Sequence, residues 1–227
     1  MVNWDKVCII NVAVGRGHEM GQVRLKASLE ATRYKGEIMF WNTFPKGSPA
    51  HQELPYGFKV YALKEAINKG FELILWLDAS VWVNKDITPL IEKIETEGYF
   101  LTQNGTPEGG CSTGHWSSDN ALKYFEITRE AAFKMKHCSG GILGFNLKSD
   151  IGIMFSMAWS KSIESFKGDW TNEKKQVSKD DGVLGHRHDQ TAASIIAEKL
   201  GLTFTDPTGW LDYNVENKDS ILLLQGM

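Results

Sequence analysis

The sequence predicts an α/β protein, a single domain over residues 1–227 with a mixed, mostly parallel central sheet flanked by helices. Two short apolar runs, residues 6–14 (KVCIINVAV) and 71–83 (FELILWLDASVWV), are typical of strands buried on both faces. The first run ends in glycines and is followed by a helical stretch and another strand. This order opens a nucleotide-binding α/β unit, so we expect the N-terminal half to bind a nucleotide. The glycines form either a phosphate cradle or a simple strand-to-helix turn.

The remaining elements alternate along the chain. The predicted helices are residues 20–32, 58–68, 90–97, 124–135, 151–166 and 191–200. The predicted strands are residues 37–41 and 99–103, and an apolar strand that follows a diglycine turn within 137–147. We expect the loop 44–57 to be functional or mobile, the loop 104–120 to line a site and the charged segment 167–185 to be exposed. The first two helices should direct these residues to the core: Val23, Ala27, Leu29, Val60, Leu63 and Ile67.

The composition excludes several classes of protein. With 42% hydrophobic and 23% charged residues, the chain is an ordinary globular one, and a net charge of −3 argues against a nucleic-acid partner. No apolar run approaches the roughly 18 residues that a membrane span needs. Cys8, Cys111 and Cys138 form no CxxC pair and suit reduced thiols, so we expect a cytoplasmic location.

Asp78 ends a buried apolar run and is followed by Ala79 and Ser80. Open α/β sheets bind ligands outside the carboxyl ends of their strands, and a carboxylate there is a hard oxygen ligand for Mg²⁺ or Mn²⁺. The alternative is that Asp78 accepts hydrogen bonds within the following turn. Lys59 and Arg24, on helices near the strand ends, are the cations best placed to reach a diphosphate, although most such residues are simply solvated.

Two later motifs are also candidates for a site: the glycine pair at 140–141 and the polar segment 186–190. Gly140 and Gly141 allow a ligand to approach the backbone closely, or they meet a purely structural need. The segment 186–190 (HRHDQ) places ionisable groups in the first turn of a helix. Asp189 is there either the helix N-cap or a general base, with His188 and Gln190 orienting hydroxyl groups. A zinc site that includes His186 is a third interpretation, but no matching Cys/His pair supports it.

Taken together, four segments spanning about residues 6–205 resemble the GT-A class of nucleotide-sugar glycosyltransferases: NVAVG, YALKEAINKGFELILWLDAS, CSGGILGFN and HDQTAASIIAEKLGL. LWLDAS resembles the DxD segment of that class, with Ser80 in place of the second aspartate. HDQ resembles its acidic residue at the start of a late helix. The small size and the cysteine composition are also similar to glycosyltransferase domains encoded by large DNA viruses.

The resemblance implies transfer of a sugar from a nucleotide-diphosphate donor, a UDP-sugar being favoured, to a hydroxyl of a glycan or glycoprotein acceptor, with Mn²⁺ or Mg²⁺ as cofactor. It implies that Asp78 and Ser80 hold the metal and that Asp189 acts as base or stabilises a cation. The implied donor-binding residues are Ala13, Val14, Arg24, Lys59, Asp78, Ala79 and Ser80. The implied sugar- and acceptor-binding residues are Gly140, Gly141, His188 and Gln190, while Trp116 or Trp210 could stack on a sugar.

Three other functions stay open to different degrees. A nucleotidyltransferase shares the sheet and the metal-bound phosphate but releases pyrophosphate. A non-catalytic module could bind nucleotide sugars or glycans without turnover. A dehydrogenase is disfavoured, because Gly15, Gly17 and Gly21 do not form GxGxxG and no acidic residue ends the second strand.

Overall fold

The centre of the structure, a computed structural model that describes residues 2–225, is a five-stranded sheet in the order β2-β1-β3-β6-β5. A smaller three-stranded sheet has the order β4-β8-β7. The strands are β1 (Val7–Val12), β2 (Glu37–Trp41), β3 (Leu73–Leu77), β4 (Val81–Val83), β5 (Tyr99–Gly105), β6 (His137–Asn146), β7 (Leu211–Asp212) and β8 (Leu222–Leu224). Strands β1, β2 and β3 are parallel, and β6 runs antiparallel to both β3 and β5. The predicted mixed, mostly parallel sheet is confirmed.

The helices flank this sheet as predicted, but several bounds differ. They are α1 (Arg16–Ala31), α2 (Phe58–Asn68), α3 (Thr88–Glu97), α4 (Asp119–Tyr124), α5 (Arg129–Phe133), α6 (Asp150–Lys161) and α7 (His188–Lys199). One helix over 124–135 was a wrong prediction, because Glu126 adopts a φ of 56° and interrupts the chain between α4 and α5. The helix predicted over 151–166 ends at Lys161 and is followed by a 3-10 turn, Ile163–Phe166. Within residues 2–225, no helix is long and apolar enough to cross a membrane.

Apolar side chains alternate along the strands and form one core on each face of the sheet. On one face, α2, α6 and α7 cover the sheet, and on the other face α1 and α3 do so. The predictions for α1 were wrong in part: Leu25 and Leu29, four residues apart, are buried, so Val23 points away and is 69% exposed. Ala27 and Ile67 are also exposed, and Ile67 is the only predicted core residue of α2 that is not buried.

The apolar run over residues 71–83 forms two strands in two sheets. Asp78 lies between them, and its backbone carbonyl accepts a hydrogen bond from Val81 N at 2.9 Å, which closes a tight turn. Strand β4 then pairs with β8 near the C-terminus, and Gln225 N donates to Ser80 O at 3.2 Å. The C-terminal segment therefore lies against the Asp78 turn, which brings distant parts of the chain to one edge of the main sheet.

Candidate active site

The position of Asp78 is fixed by the strands on either side of it. Its backbone N–H donates to Gly141 O on β6 at 2.9 Å. On the other side, the buried Asn11 donates from Nδ2 to Leu77 O at 2.6 Å, and Gln22 Nε2 donates to Asn11 Oδ1 at 2.8 Å. These contacts join the carboxyl ends of β1 and β3 and hold the turn in one place.

The Asp78 carboxylate faces a cavity rather than the turn. Trp76 Nε1 donates to Asp78 Oδ1 at 2.7 Å, and Lys59 Nζ lies 3.1 Å from the same oxygen. The side chain is 31% exposed. The turn after Asp78 is closed by backbone groups, so the alternative in which the carboxylate serves as acceptor for that turn is not what the geometry shows.

Lys59 is buried and lies between two carboxylates. Its Nζ is 3.1 Å from Asp78 Oδ1 and 2.9 Å from Asp189 Oδ2, and it donates to Gly140 O at 2.8 Å. The ammonium also lies 4.8 Å from the centre of the Trp76 ring. Burial alone would lower the pKa of Lys59, but the carboxylates of Asp189 and Asp78 outweigh burial and raise it, so the lysine stays charged. Its charge is therefore engaged by the two aspartates.

Asp189 lies in the first turn of α7 and is only 3% exposed. Arg187 occupies the N-cap position, so Asp189 is not the cap. Trp159 Nε1 donates to the backbone carbonyl of Asp189 at 3.1 Å, which fixes this turn from the core side. Burial raises the pKa of Asp189 to about 6, and the nearby Lys59 ammonium limits the increase. A carboxylate with a raised pKa is a stronger base than an exposed one.

The two glycines lie inside β6, so the predicted diglycine turn was wrong. A Cβ on Gly140 would come within 2.9 Å of Gln190 Cβ and 3.3 Å of Asp189 Oδ2. A Cβ on Gly141 would lie 3.4 Å from Asp78 Oδ2. The missing side chains thus leave room for both aspartates against a central strand.

A cavity of about 310 Å³ collects most of the predicted residues. It is lined by Lys59, Asp78, Ser80, Gly140, Gly141, Asp189 and Gln190, together with residues that the sequence did not single out: Tyr56, Asn104, Ser139, Trp170, Arg187, Tyr213 and Leu224. Arg187 stood inside the HRHDQ motif, where its charge was the available indication. Asn104 and Ser139 lie on β5 and β6, the others come from loops and from the C-terminal segment, and no local pattern marks them.

A second cavity of about 300 Å³ adjoins the first and shares Tyr56 with it. Val14, two residues after the end of β1, lines this cavity, together with His18, Phe44 and His51. The walls are mainly apolar and aromatic, which suits a flat ring such as a nucleobase.

Four other residues predicted at the site lie behind the cavity walls. Ala13 is fully buried, and Ala79 is 4% exposed. Arg24 donates from Nη2 to Ser80 O at 3.1 Å and lies over the Trp82 ring, so it supports the Asp78 turn from outside. His188 is buried and its Nδ1 lies 2.8 Å from Phe166 O.

The histidines of the HRHDQ segment and the two tryptophans considered for sugar stacking contact other protein groups and do not line the first cavity. His186 Nε2 lies 2.9 Å from Ser165 O, and burial lowers the pKa of His186 to about 4 and that of His188 to about 3. Over residues 2–225, no group of three or more His, Cys, Asp or Glu side chains could hold a metal ion, which leaves the zinc interpretation unsupported. Trp210 packs against Phe100, and Trp116 lies under Arg187. Trp170 is the tryptophan that lines the cavity.

The oxygen atoms around Asp78 fit a Mn²⁺ or Mg²⁺ ion of a particular kind. Asp78 Oδ1 is engaged by Trp76 and Lys59, whereas no described residue bonds to Oδ2, and the Ser80 side chain lines the same cavity. Ions of this type keep several waters and bind through one or two carboxylates together with substrate phosphates. The residues therefore suit an ion that enters with a diphosphate, rather than a cage formed by protein alone.

No protein-family model matches the sequence, and no curated protein matches it significantly. Solved structures do match in fold. A glycosyltransferase involved in the glycosylation of the major capsid of PBCV-1 superposes with a TM-score of 0.52 at 14% identity, over 96% of this chain and 93% of that one. Mouse xyloside xylosyltransferase 1 in its apo form superposes with a TM-score of 0.51 at 13% identity, over 89% and 86%. The chain has the GT-A fold, as the sequence motifs implied.

Proposed function

We propose that this protein is a glycosyltransferase that moves a sugar from a nucleotide-diphosphate donor, a UDP-sugar, to a hydroxyl group of a glycan acceptor. The observation that carries the proposal is the pair of aspartates joined by Lys59 at the base of one cavity. That cavity lies at the edge of a GT-A sheet, where α/β folds bind their ligands. Two structural neighbours support the proposal: one is a glycosyltransferase involved in the glycosylation of the major capsid of PBCV-1, and the other is a xyloside xylosyltransferase.

In the proposed complex, the donor spans both cavities. The base lies in the aromatic cavity near Val14 and Phe44, and the transferred sugar lies in the cavity that contains Asp78 and Asp189. A bound Mn²⁺ or Mg²⁺, held by Asp78 Oδ2 and Ser80, would offset the charge that develops on the departing diphosphate. Trp76 and Lys59 orient the carboxylate for this purpose, since both contact Oδ1 and leave Oδ2 toward the cavity.

Asp189 is the proposed reacting carboxylate. If the sugar is transferred with inversion, Asp189 takes the proton of the acceptor hydroxyl, a task for which a carboxylate of raised pKa is suited. If the configuration is retained, its negative charge faces the cation-like sugar of the transition state. In both cases Lys59 holds the carboxylate through the contact between its Nζ and Asp189 Oδ2 at 2.9 Å.

The test is release of UDP or GDP from nucleotide sugars, with and without acceptors, in Mn²⁺ and in EDTA. Asp189→Asn should lower turnover by about 10²–10⁴-fold, the usual contribution of a positioned acid–base group. Asp78→Asn should also lower turnover, because the variant loses the charged ligand of the metal. Asp219→Asn, whose side chain is 97% exposed, is the matched control and should retain activity. Full turnover in both cavity variants would refute the site, and release of pyrophosphate instead would indicate a nucleotidyltransferase.

The cysteines bear on where the reaction takes place. Cys8 and Cys138 are buried, Cys111 is partly buried, and all of them are free thiols. Free thiols suit a reducing compartment. We therefore propose a cytoplasmic location for the enzyme.

A further inference from the structure

Arg187 is held rigidly at the wall of the catalytic cavity. Its guanidinium group lies between two indole rings, 4.2 Å from the centre of Trp116 and 3.8 Å from that of Trp170. Its backbone N–H donates to Trp116 O at 3.1 Å, and its carbonyl accepts from Gln190 N at 2.9 Å. Stacking on both faces and a fixed backbone leave the guanidinium little freedom.

The charge of Arg187 has no acidic partner within residues 2–225. Lys59 pairs with both aspartates of the cavity, whereas the described residues give the Arg187 guanidinium neither an ion pair nor a hydrogen bond. The side chain is nonetheless about half-buried, and this burial lowers its pKa. Removing a cation from water is costly unless another group offsets the loss. A fixed, partly desolvated fork of N–H donors in a cavity is the arrangement that binds an oxyanion in two-pronged fashion.

The residues proposed to hold the metal give a reason for an oxyanion contact with Arg187. Of the two residues proposed to hold the metal, only Asp78 carries a negative charge, because Ser80 offers a neutral hydroxyl. Cations of the chain itself are a further means of balancing the charge on a bound oxyanion. Arg187 is the cavity cation whose donors remain open over the described part of the chain.

We propose that Arg187 is the oxyanion-binding residue of this cavity, a role that rests on the proposed sugar transfer. The chemistry is that of a guanidinium with a phosphate or carboxylate group. Two sources present such a group: the diphosphate of the donor, and an acidic group on the transferred sugar or the acceptor. The proposal differs from the metal role of Asp78, because it predicts oxyanion binding that persists in EDTA.

The experiment is calorimetric titration in EDTA with inorganic pyrophosphate, UDP and uridine. In wild-type protein, pyrophosphate and UDP should bind, and in Arg187→Gln both should bind about 10- to 100-fold more weakly, as expected for loss of a charged hydrogen-bonding group. Uridine should bind equally to both. Arg33→Gln removes an exposed arginine on the surface and is the matched control.

A second arm distinguishes the two sources. UDP-glucuronate and UDP-glucose are titrated against the same proteins. If Arg187 binds an acidic sugar, Arg187→Gln removes a preference for UDP-glucuronate and leaves pyrophosphate binding unchanged. If wild-type protein binds none of the charged probes, or if a folded Arg187→Gln binds all of them as wild type does, the proposal is overturned.

Folding is checked by near-UV circular dichroism, because Arg187 separates two tryptophans. Should Arg187→Gln not fold, Arg187→Lys decides, since it keeps the charge but loses the two-pronged geometry. Weaker oxyanion binding in the lysine variant supports the proposal, and unchanged binding refutes it. Oxyanion binding that depends on Arg187 without any sugar transfer would overturn the enzyme assignment alone. Transfer with binding independent of Arg187 would overturn only this inference.

Discussion

The two aspartates of the cavity contact the same lysine but occupy different surroundings. Asp78 ends a strand in a tight turn, and its side chain is 31% exposed, whereas Asp189 begins a helix and its side chain is 4% exposed. Asp78 therefore keeps access to water and to a hydrated ion. Asp189 is desolvated, and its pKa is raised to about 6. The comparison shows that one buried ammonium contacts two carboxylates that differ in exposure.

The difference originates in the elements that carry each residue. Asp78 extends past the carboxyl end of β3, where Gly141 on β6, the C-terminal segment and the cavity adjoin it. Asp189 is directed inward, because α7 is buried over most of its length and Trp159 holds its backbone. Lys59 joins them because α2 packs on the same face of the sheet as α7. This arrangement can be tested by substituting Lys59, by substituting Gly140 and Gly141, and by varying the pH.

The largest effect is expected from removing the shared cation. Lys59→Met should lower the free energy of unfolding by about 3–5 kcal/mol, because it leaves buried carboxylate charge without its partner. Urea denaturation at pH 7 measures this change. Lys148→Met removes a lysine whose side chain is 70% exposed, with Glu72 at 3.5 Å, and should cost about 0.5 kcal/mol or less. Equal costs for the two variants would show that the Lys59 pairs do not stabilise the fold.

The fold was largely predictable, because it depends on local patterns. The strand at 37–41 and the helix at 58–68 match the predicted bounds, since apolar periodicity and flanking glycines define them. Asp78 and Asp189 could also be singled out from the sequence, because each lies next to the boundary of a recognisable element, and both line the cavity. The break at Glu126 was missed, since a positive φ at a residue other than glycine leaves no mark in the sequence.

The contacts between residues of the candidate site were harder to predict from the sequence than the residues themselves. Lys59 was expected to reach a diphosphate, but residues 59, 78 and 189 come together only through tertiary packing. In the same way, Trp170 and Tyr213 reach the cavity from segments without regular structure, and sequence reasoning selected Trp116 and Trp210 instead. Composition and periodicity identify elements and strand ends, whereas pairing across three elements follows from the packing of the folded chain.

An intermediate effect is expected from adding a methyl group beside each aspartate, at Gly140 near Asp189 and at Gly141 near Asp78. Gly140→Ala should lower the free energy of unfolding by about 1–3 kcal/mol, because its Cβ would lie 2.9 Å from Gln190 Cβ, close to the α7 backbone. Gly141→Ala should cost less, since its nearest contacts, Asp78 Oδ2 and Leu224 Cδ1, are at an ordinary 3.4 Å. Thermal unfolding of both variants measures the difference. A larger loss in Gly141→Ala would mean that the Asp78 side is the more tightly packed one.

The smallest effect concerns the proton on Asp189. If Asp189 acts as a base, kcat/KM should fall as the pH drops through about 6, because the protonated carboxyl cannot accept a proton. Burial raises this pKa and the Lys59 ammonium lowers it, so Lys59→Gln should move the acidic limb to higher pH, by about one unit or more. His186 and His188 do not account for the limb, because burial lowers their pKa values to about 4 and about 3.

The pH profile has its own control in His18, an exposed residue that lines the second cavity. His18→Asn should leave the acidic limb in place, whereas a limb that disappears in this variant would place the titrating group at the second cavity. If the limb stays at the same pH in Lys59→Gln, Lys59 does not influence the pKa of Asp189. Movement in Lys59→Gln alone would show that the cation shared by the two aspartates sets the pH at which the buried one becomes a base.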